Sequence, residues 1–424
     1  MNSKLQTPLA QLGALAANSL SLEQAEKLLA IYGSPLYIYE GDRLRQTIAH
    51  ITQAISYPYT QFHFASVTNG NIALLQIFRE AGWGLHANTP GDIYLGLCAG
   101  FQPQQIVYSG SNLNRAEMEQ VLLWGITTLN LDSLSQLQLC CEVYQSLPSS
   151  HPLPLCLGLR LNQPEINGDS RIGVRPKEFP QAIAVTQQAG LKLKGLHFYR
   201  GTGTNATKAF TQVIDTILNT AQQLPDWDYL DFGGGFGYPY HYGGVAFDWH
   251  LFGQELTQRL QCLDQPIKLI IEPGRAAIAG CATLLTRVVS IKWQDSKQIV
   301  GVDTTVANLS VPAVHGGYRE IISLSSSNTN PRFLTDVCGN TTYSRDYLGR
   351  NCQLPELAIG DILAILDVGA YGYAMSSHFL HRSRPAEVLL EHKEHRLIRK
   401  REDYSVLLSN QVFGEDKLRG NNLL

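Results

Sequence analysis

LDFGGGFGYPY, residues 230–240, is the stretch on which the reading of this chain turns. Leu230, Asp231 and their hydrophobic neighbours read as the end of a buried strand, and Gly233, Gly234 and Gly235 follow without side chains. A glycine run lets backbone N–H groups approach a ligand closely and converge on an anion. It also serves as a plain tight turn, and from this stretch alone both readings stay open. The G-x-G-x-x-G spacing of a dinucleotide fingerprint is absent, and no Walker lysine follows.

Working outward, strand and helix signals alternate from about residue 35 to 280. The strand signals are PLYIY (35–39), QFHFASV (61–67), WGLHA (83–87), QIVYSG (105–110), TTLNLD (127–132), PLCLGLRLN (154–162), LKLKGLHFYRG (191–201), DYLDFGG (228–234) and IKLIIEPGR (267–275). They are hydrophobic without strict alternation, as strands of a parallel sheet covered on both faces should be. Helix starts fall between them, at Thr89-Pro90-Gly91-Asp92 and at Asn114 before RAEMEQVLLWG. Roughly eight such units predict a (β/α)8 barrel, with an open doubly wound sheet as the alternative. After Gly280 the texture changes to strand-like runs separated by loops. The expected division is a helical arm over 1–34, a barrel over 35–280 and a mainly β domain over 281–424, with the arm packed on the β domain.

The chain has 424 residues, 44% hydrophobic and 16% charged, with a net charge of −3. That length allows two sizeable cores. The low charge argues against a broad nucleic-acid surface. No run is apolar enough to span a membrane, and the N-terminal run lacks a basic leader, so a cytoplasmic location is expected. The eight cysteines are scattered with no C-x-x-C pair, and read as small buried hydrophobes rather than a disulfide or metal framework.

In an α/β barrel, function sits at the C-terminal ends of the strands. Four features fall there: Val67–Asn69, His197–Gly203, Asp231–Gly237 and Glu272–Arg275. A glycine cradle beside an acid such as Glu272 points to a phosphorylated ligand with a basic nitrogen. Bland readings stay open beside this one: a structural Glu272–Arg275 ion pair, and a satisfied core histidine at His197.

At these residues the chain resembles the fold-type III pyridoxal-phosphate decarboxylases of diaminopimelate, ornithine, arginine and carboxynorspermidine. The resemblance spans roughly residues 33–395. LDFGGGFGYPY is similar to the family's phosphate-binding loop, IIEPGRAAIAG to its EPGR segment, and LDVGAYGYAMSSHFLHRSRPAEVL closely to the C-terminal signature of diaminopimelate decarboxylases. The resemblance implies an alanine-racemase-like barrel with a C-terminal β domain that completes a neighbour's site in a homodimer. It implies phosphate contacts from Gly201, Thr202, Gly233, Gly234, Gly235, Gly274, Arg275 and Tyr371. Glu272 would face the pyridine nitrogen and keep it protonated, which makes the ring an electron sink.

The departures from the family pattern are equally specific. Where the family has Tyr-Ala-Val-Lys-Ala-Asn, with the Schiff-base lysine, this chain reads FASVTN and places Val67 at the lysine position. No lysine occurs between Lys27 and Lys177, so a small slip of alignment supplies none. The ring-stacking histidine of His-x-His-x-Gly-Ser falls on Tyr199, with His197 as the first histidine. The family's catalytic cysteine falls on Thr342 and the adjacent acid on Tyr343, while Ser344 and Asp346 persist; Cys338 precedes the glycine and does not match. Val311 stands where diaminopimelate decarboxylases carry a carboxylate-binding arginine, and His86 stands for the acid of Asp-Val-x-Ser.

The sequence therefore predicts retained cofactor contacts with lost imine, proton-transfer and second-carboxylate groups. Tyr343 and Asp346 are the remaining substrate-side candidates. Three functions compete: a member with impaired or absent decarboxylation, holding pyridoxal phosphate non-covalently; an enzyme with lysine-independent chemistry on a basic or small amino acid, with Lys208 as substitute amine; and a non-catalytic regulator or cofactor carrier. Expected partners are a second copy of the chain, an amino-acid ligand, or an active homologue in a heterodimer. No metal is expected.

Overall fold

The computed structural model describes residues 20–148, 154–168, 170–325 and 331–412. The chain forms two compact units, one of residues 43–239 with 245–278, the other of residues 1–42, 240–244 and 279–424. The beginning of the expected N-terminal arm lies outside the described residues.

The first strand, β1 (Leu36–Glu40), does not join the barrel as its place at 35–39 in the alternating series implied. It pairs antiparallel with β10 (Ala282–Gln294) and parallel with β16 (Ala386–Glu391) in the other unit. The barrel closes without it, from β2 (Thr60–Ala65), β3 (Gly84–Ala87), β4 (Ile106–Tyr108), β5 (Thr128–Leu131), β6 (Cys156–Arg160), β7 (Leu193–His197), β8 (Tyr229–Asp231) and β9 (Lys268–Ile271). All neighbouring pairs are parallel, and β9 returns to β2 through Thr60 opposite Leu269 and Phe62 opposite Ile271. This is the closed barrel, not the open sheet.

Local chemistry sets the connections. Thr89 caps the helix Pro90–Cys98 in a reciprocal box with Asp92, and Asn114 does the same with Glu117 for Arg115–Leu123. Each box satisfies backbone donors that a helix start leaves unpaired. Between β7 and β8 the chain forms two short helices, Thr207–Thr211 and Ile214–Ala221.

In the second unit, β11 (Lys297–Val302), β13 (Arg332–Cys338), β14 (Tyr347–Pro355) and β17 (Glu394–Arg399) extend the sheet in the order β14-β13-β11-β10-β1-β16-β17. β15 (Ile362–Ile365) pairs with β10 and with β12 (Ile321–Ser323). The helix Leu22–Tyr32, capped by Ser21, packs Ala25, Leu28 and Leu29 into a core with Leu36, Leu285, Ile362 and Val388. Among the described residues no helix is long and apolar enough to cross a membrane.

Candidate active site

Two phenylalanines fix the glycine loop. Phe232 and Phe236 flank Gly233–Gly235, are buried, and pack against Phe210 and Phe252; Phe236 also meets Phe247 and Trp249. Burying each ring contributes about 1.5–3 kcal/mol, enough to hold the loop ends while the glycines stay bare. The loop then takes a path that side chains cannot follow. Gly233 and Gly235 have φ of +67° and +93°. A Cβ at Gly233 would lie 2.0 Å from the Phe198 carbonyl oxygen, at Gly234 2.6 Å from that of Glu272, and at Gly235 2.3 Å from that of Gly201.

These approaches bring the ends of β7, β8 and β9 together. Thr204 N–H donates to Gly235 O at 3.1 Å, and Gly237 N–H to Thr204 O at 3.0 Å. Gly203 lies beside the Arg275 guanidinium, which a Cβ there would approach to 3.1 Å. The structure thus brings together Gly201, Thr202, Gly233, Gly234, Gly235, Gly274 and Arg275, the barrel residues of the expected phosphate site. Tyr199 also belongs to this end; its hydroxyl lies 3.2 Å from Thr202 Oγ1, and the Arg160 guanidinium sits 5.1 Å from its ring centre.

Below the loops is a buried polar cluster. Glu272 Oε2 lies 3.3 Å from His197 Nε2 and 3.5 Å from His86 Nε2, and the two imidazoles are nearly parallel, 13° apart in plane. Asp231 accepts from Asn130 Nδ2 at 2.8 Å and from the Gly233 N–H at 3.0 Å. Burial pushes the Glu272 carboxyl up to about 7, against lowering by Asp231 hydrogen bonding and the Arg160 charge. Burial, joined by the Glu272 charge, pushes Asp231 well above the usual carboxylate range. Burial holds His197 down to about 4 and His86 well below its usual value, so neither is cationic near neutrality. The histidine–Glu272 contacts are accordingly neutral hydrogen bonds or dipolar contacts near pH 7, not ion pairs. The carboxylate of Glu272 is turned to these imidazoles, and one face of His197 remains unsatisfied at Nδ1.

Val67 lies in a short 3-10 turn, Ser66–Thr68, directly after β2, rather than within the strand as QFHFASV suggests. Its side chain is exposed. The turn is tied to the glutamate segment, because Ala65 N–H donates to Pro273 O and a Cβ at Gly274 would meet Thr68 and Ala65. Asn69 and Asn71 beyond it are buried. Lys208 is exposed on the turn Thr207–Thr211.

The remaining candidates belong to the β unit. Thr342 is exposed, and Tyr343 stands edge-on to Phe379. Asp346 is buried; its carboxylate accepts from Val306 N–H at 2.7 Å and from the Thr305 and Thr341 hydroxyls. Its side chain therefore ties its own β13–β14 loop to the Thr305–Val306 segment, which is a structural employment for a residue expected on the substrate side. Tyr371 has φ +61° in the turn after β15. Val311 is buried at the start of the turn Val311–His315. Asn130 and Arg160 are the barrel residues that sequence reasoning missed. Their signals were a polar side chain inside the buried strand TLNL and a charge at the end of CLGLR.

The profile of the family described as "Pyridoxal-dependent decarboxylase, pyridoxal binding domain" matches residues 42–279. The diaminopimelate decarboxylase of Methanothermobacter thermautotrophicus is 33% identical over 403 residues, covering 91% of this chain and 94% of that protein. That of Escherichia coli K12 is 30% identical over 417 residues, covering 93% and 97%. The crystal structure of diaminopimelate decarboxylase from Helicobacter pylori complexed with L-lysine aligns with a TM-score of 0.80 at 28% identity, covering 91% of this chain and 98% of that one. The glycine cradle, the buried glutamate and these alignments agree: the chain belongs to the pyridoxal-dependent decarboxylase family, whose cofactor is pyridoxal phosphate.

Proposed function

We propose that this chain holds pyridoxal phosphate by its phosphate and ring nitrogen and does not perform the lysine-dependent decarboxylation of its relatives at their rate. The residues present fit the group. Glu272 Oε1 is buried without a hydrogen-bond partner, an acceptor suited to a protonated ring nitrogen. The glycine loops at Gly201–Gly203 and Gly233–Gly235 meet without side chains between them, and Arg275 lies beside Gly203, where its charge would balance a phosphate. Tyr199 offers a ring for stacking. When bound, the group supplies an electron sink for a carbanion at the substrate α-carbon.

The observation that carries the negative half is Val67. It lies in the turn after β2; the resemblance of FASVTN to the family's lysine segment puts it at the amine position, and an isopropyl group neither forms an imine nor moves a proton. Thr342 in place of the family's cysteine points the same way. Spectrophotometric titration with pyridoxal phosphate, combined with decarboxylation assays on meso-diaminopimelate, ornithine, lysine and arginine, tests both halves. Cofactor binding without turnover is expected; robust turnover of any of the four rejects the reading. The chain is expected to form a homodimer, and sedimentation of the full-length protein as a monomer rejects that part.

A further inference from the structure

We propose that the β unit carries an anion site of its own, a pocket for a small organic polyanion framed by Arg319, Arg345 and Arg350. The inference goes beyond the cofactor reading and does not rest on it, because every residue in it belongs to the unit of residues 1–42, 240–244 and 279–424. A cavity of about 350 Å³ opens between the turn Val311–His315, the segment leading into β12 and the first half of β14. Small-molecule sites occupy about 300–1,000 Å³, so the space suits a compact metabolite. The three arginines line it with Tyr318, Tyr347 and Leu348, and no aspartate or glutamate is among the lining residues.

The walls are fixed in advance. Arg319 is buried, its Nη1 donates to Tyr318 O at 2.6 Å, and its guanidinium lies 3.8 Å from the centre of the Tyr240 ring. The next ring in sequence, His241, stacks on Tyr318 with centres 4.0 Å apart and planes 17° apart. Tyr240 and His241 thus clamp Arg319 and Tyr318 side by side. Arg350 lies over the Tyr347 ring at 3.7 Å. Stacking of this kind orients a guanidinium and leaves its N–H edge to donate. Arg345 stands on the β13–β14 loop that Asp346 braces through Val306 and Thr305. Gly317 keeps the opposite wall bare: a Cβ there would lie 2.6 Å from Val311 Cγ1 and 3.7 Å from Arg319 Nη1.

The charge is not balanced from within. Among the described lysines and arginines of this unit, the ion pairs are Lys297–Asp336, Arg384–Glu402 and Arg399–Glu387; Arg345 and Arg350 are in none. The carboxylates adjacent in sequence to Arg319 and Arg345 are engaged elsewhere. Glu320 accepts from the Tyr318 hydroxyl, and Asp346 from Val306 N–H and the Thr305 and Thr341 hydroxyls. Three cations therefore face one cavity in a chain whose net charge is −3. Guanidinium groups pair with carboxylate or phosphate through two parallel hydrogen bonds, so the occupant is a polyanion of either kind. Val311, which stands at the family's carboxylate-binding position, is not among the lining residues, so this pocket is not that subsite under another name.

The test is calorimetric titration of the full-length protein with citrate and, separately, inorganic pyrophosphate, at constant ionic strength and with acetate as the monovalent control. One polyanion per chain is expected, with acetate giving no heat. Citrate binding alone marks a carboxylate ligand, and pyrophosphate binding alone a phosphate one. Arg345→Gln and Arg350→Gln, each with an unchanged melting profile, should weaken binding about fivefold to tenfold. Arg350→Lys should recover only part of the loss, since it restores charge but not the fork. Arg332→Gln removes an exposed arginine that does not line the cavity and should change nothing. Binding of neither probe, or an equal loss with Arg332→Gln, overturns the proposal. So does a probe that pyridoxal phosphate displaces and that both pocket substitutions leave unaffected, because it then occupies the glycine cradle. The cofactor titration is read by its own absorbance, so its failure removes the cofactor reading and leaves this result standing.

Discussion

Val67→Lys should convert this chain into one that captures pyridoxal phosphate covalently. Val67 is 44% exposed at the centre of a three-residue turn, so lysine enters without displacing core atoms. A fully buried valine contributes about 1.5–3 kcal/mol, and Val67 has roughly half of that at stake. The lysine stem re-covers part of the same surface while its ammonium reaches water. The net loss is under about 1 kcal/mol, or a fall in Tm of roughly 2–4 °C for a chain unit of this size. The variant therefore folds. An amine fixed beside the cradle acts at an effective concentration of order millimolar, so adduct formation should approach one per chain. The assay is incubation with pyridoxal phosphate, borohydride reduction and peptide mapping. No lysine lies between Lys27 and Lys177, so a label mapped inside that interval must sit at position 67. The wild type should show none there. A variant that melts like the wild type, binds the cofactor and still gives no label in the interval would refute the placement of Val67 at the lost amine.

Further outcomes follow from single contacts. Gly235→Ala combines φ +93° with a Cβ 2.3 Å from the Gly201 carbonyl, and should cost about 2–4 kcal/mol in denaturant melts and abolish cofactor binding. Gly201→Ala, at φ +116° with no atom within 4 Å of the new Cβ, should cost only the backbone strain, about 1–3 kcal/mol. The folded carboxyl of Glu272 titrates at about 7 against an ordinary 4.5, so the fold binds its proton more tightly than the unfolded chain and loses that stabilisation as pH rises through the window. Glu272→Gln should therefore gain stability relative to wild type between those two values, by up to about 3 kcal/mol; a constant difference across pH counts against it. Asp346→Ala leaves the Val306 N–H and the Thr305 and Thr341 hydroxyls without their acceptor, and should destabilise the β unit by about 3 kcal/mol with no change in cofactor affinity.

The barrel was legible because its strands are short hydrophobic runs punctuated by self-contained caps. The Thr89–Asp92 and Asn114–Glu117 boxes are local, so four residues of sequence specify each helix start. The membership of β1 was not legible. LYIY is buried on both faces between β10 and β16, and a two-sided buried strand reads alike whichever sheet it enters. The glycine loop was legible because positive φ and carbonyl approaches near 2 Å from a Cβ admit no other residue. Asn130 and Arg160 were not, since Asp231 lies 101 positions from the one and Tyr199 about forty from the other, and they meet only when the barrel closes. His86 was noticed as a departure from the family pattern; its contact with Glu272 is set by β2 to β3 pairing, which puts Ala65 opposite His86, and by β2 returning to β9.

Persistence of the glycines is weak evidence for a ligand. Gly233, Gly234, Gly235 and Gly237 all meet protein atoms that a side chain would strike, so folding alone retains them. A chain with no use for the pocket would keep that loop. It would have no comparable reason to keep the polar floor. Glu272, His197 and Asp231 are buried with at least one carboxylate and one imidazole atom unpaired, and each such atom costs about 1–3 kcal/mol without a partner. Leucine or methionine of similar volume would relieve that cost and leave the barrel intact. The floor, rather than the cradle, is thus the part of the site that calls for an occupant, and a protonated ring nitrogen at Glu272 Oε1 answers that call.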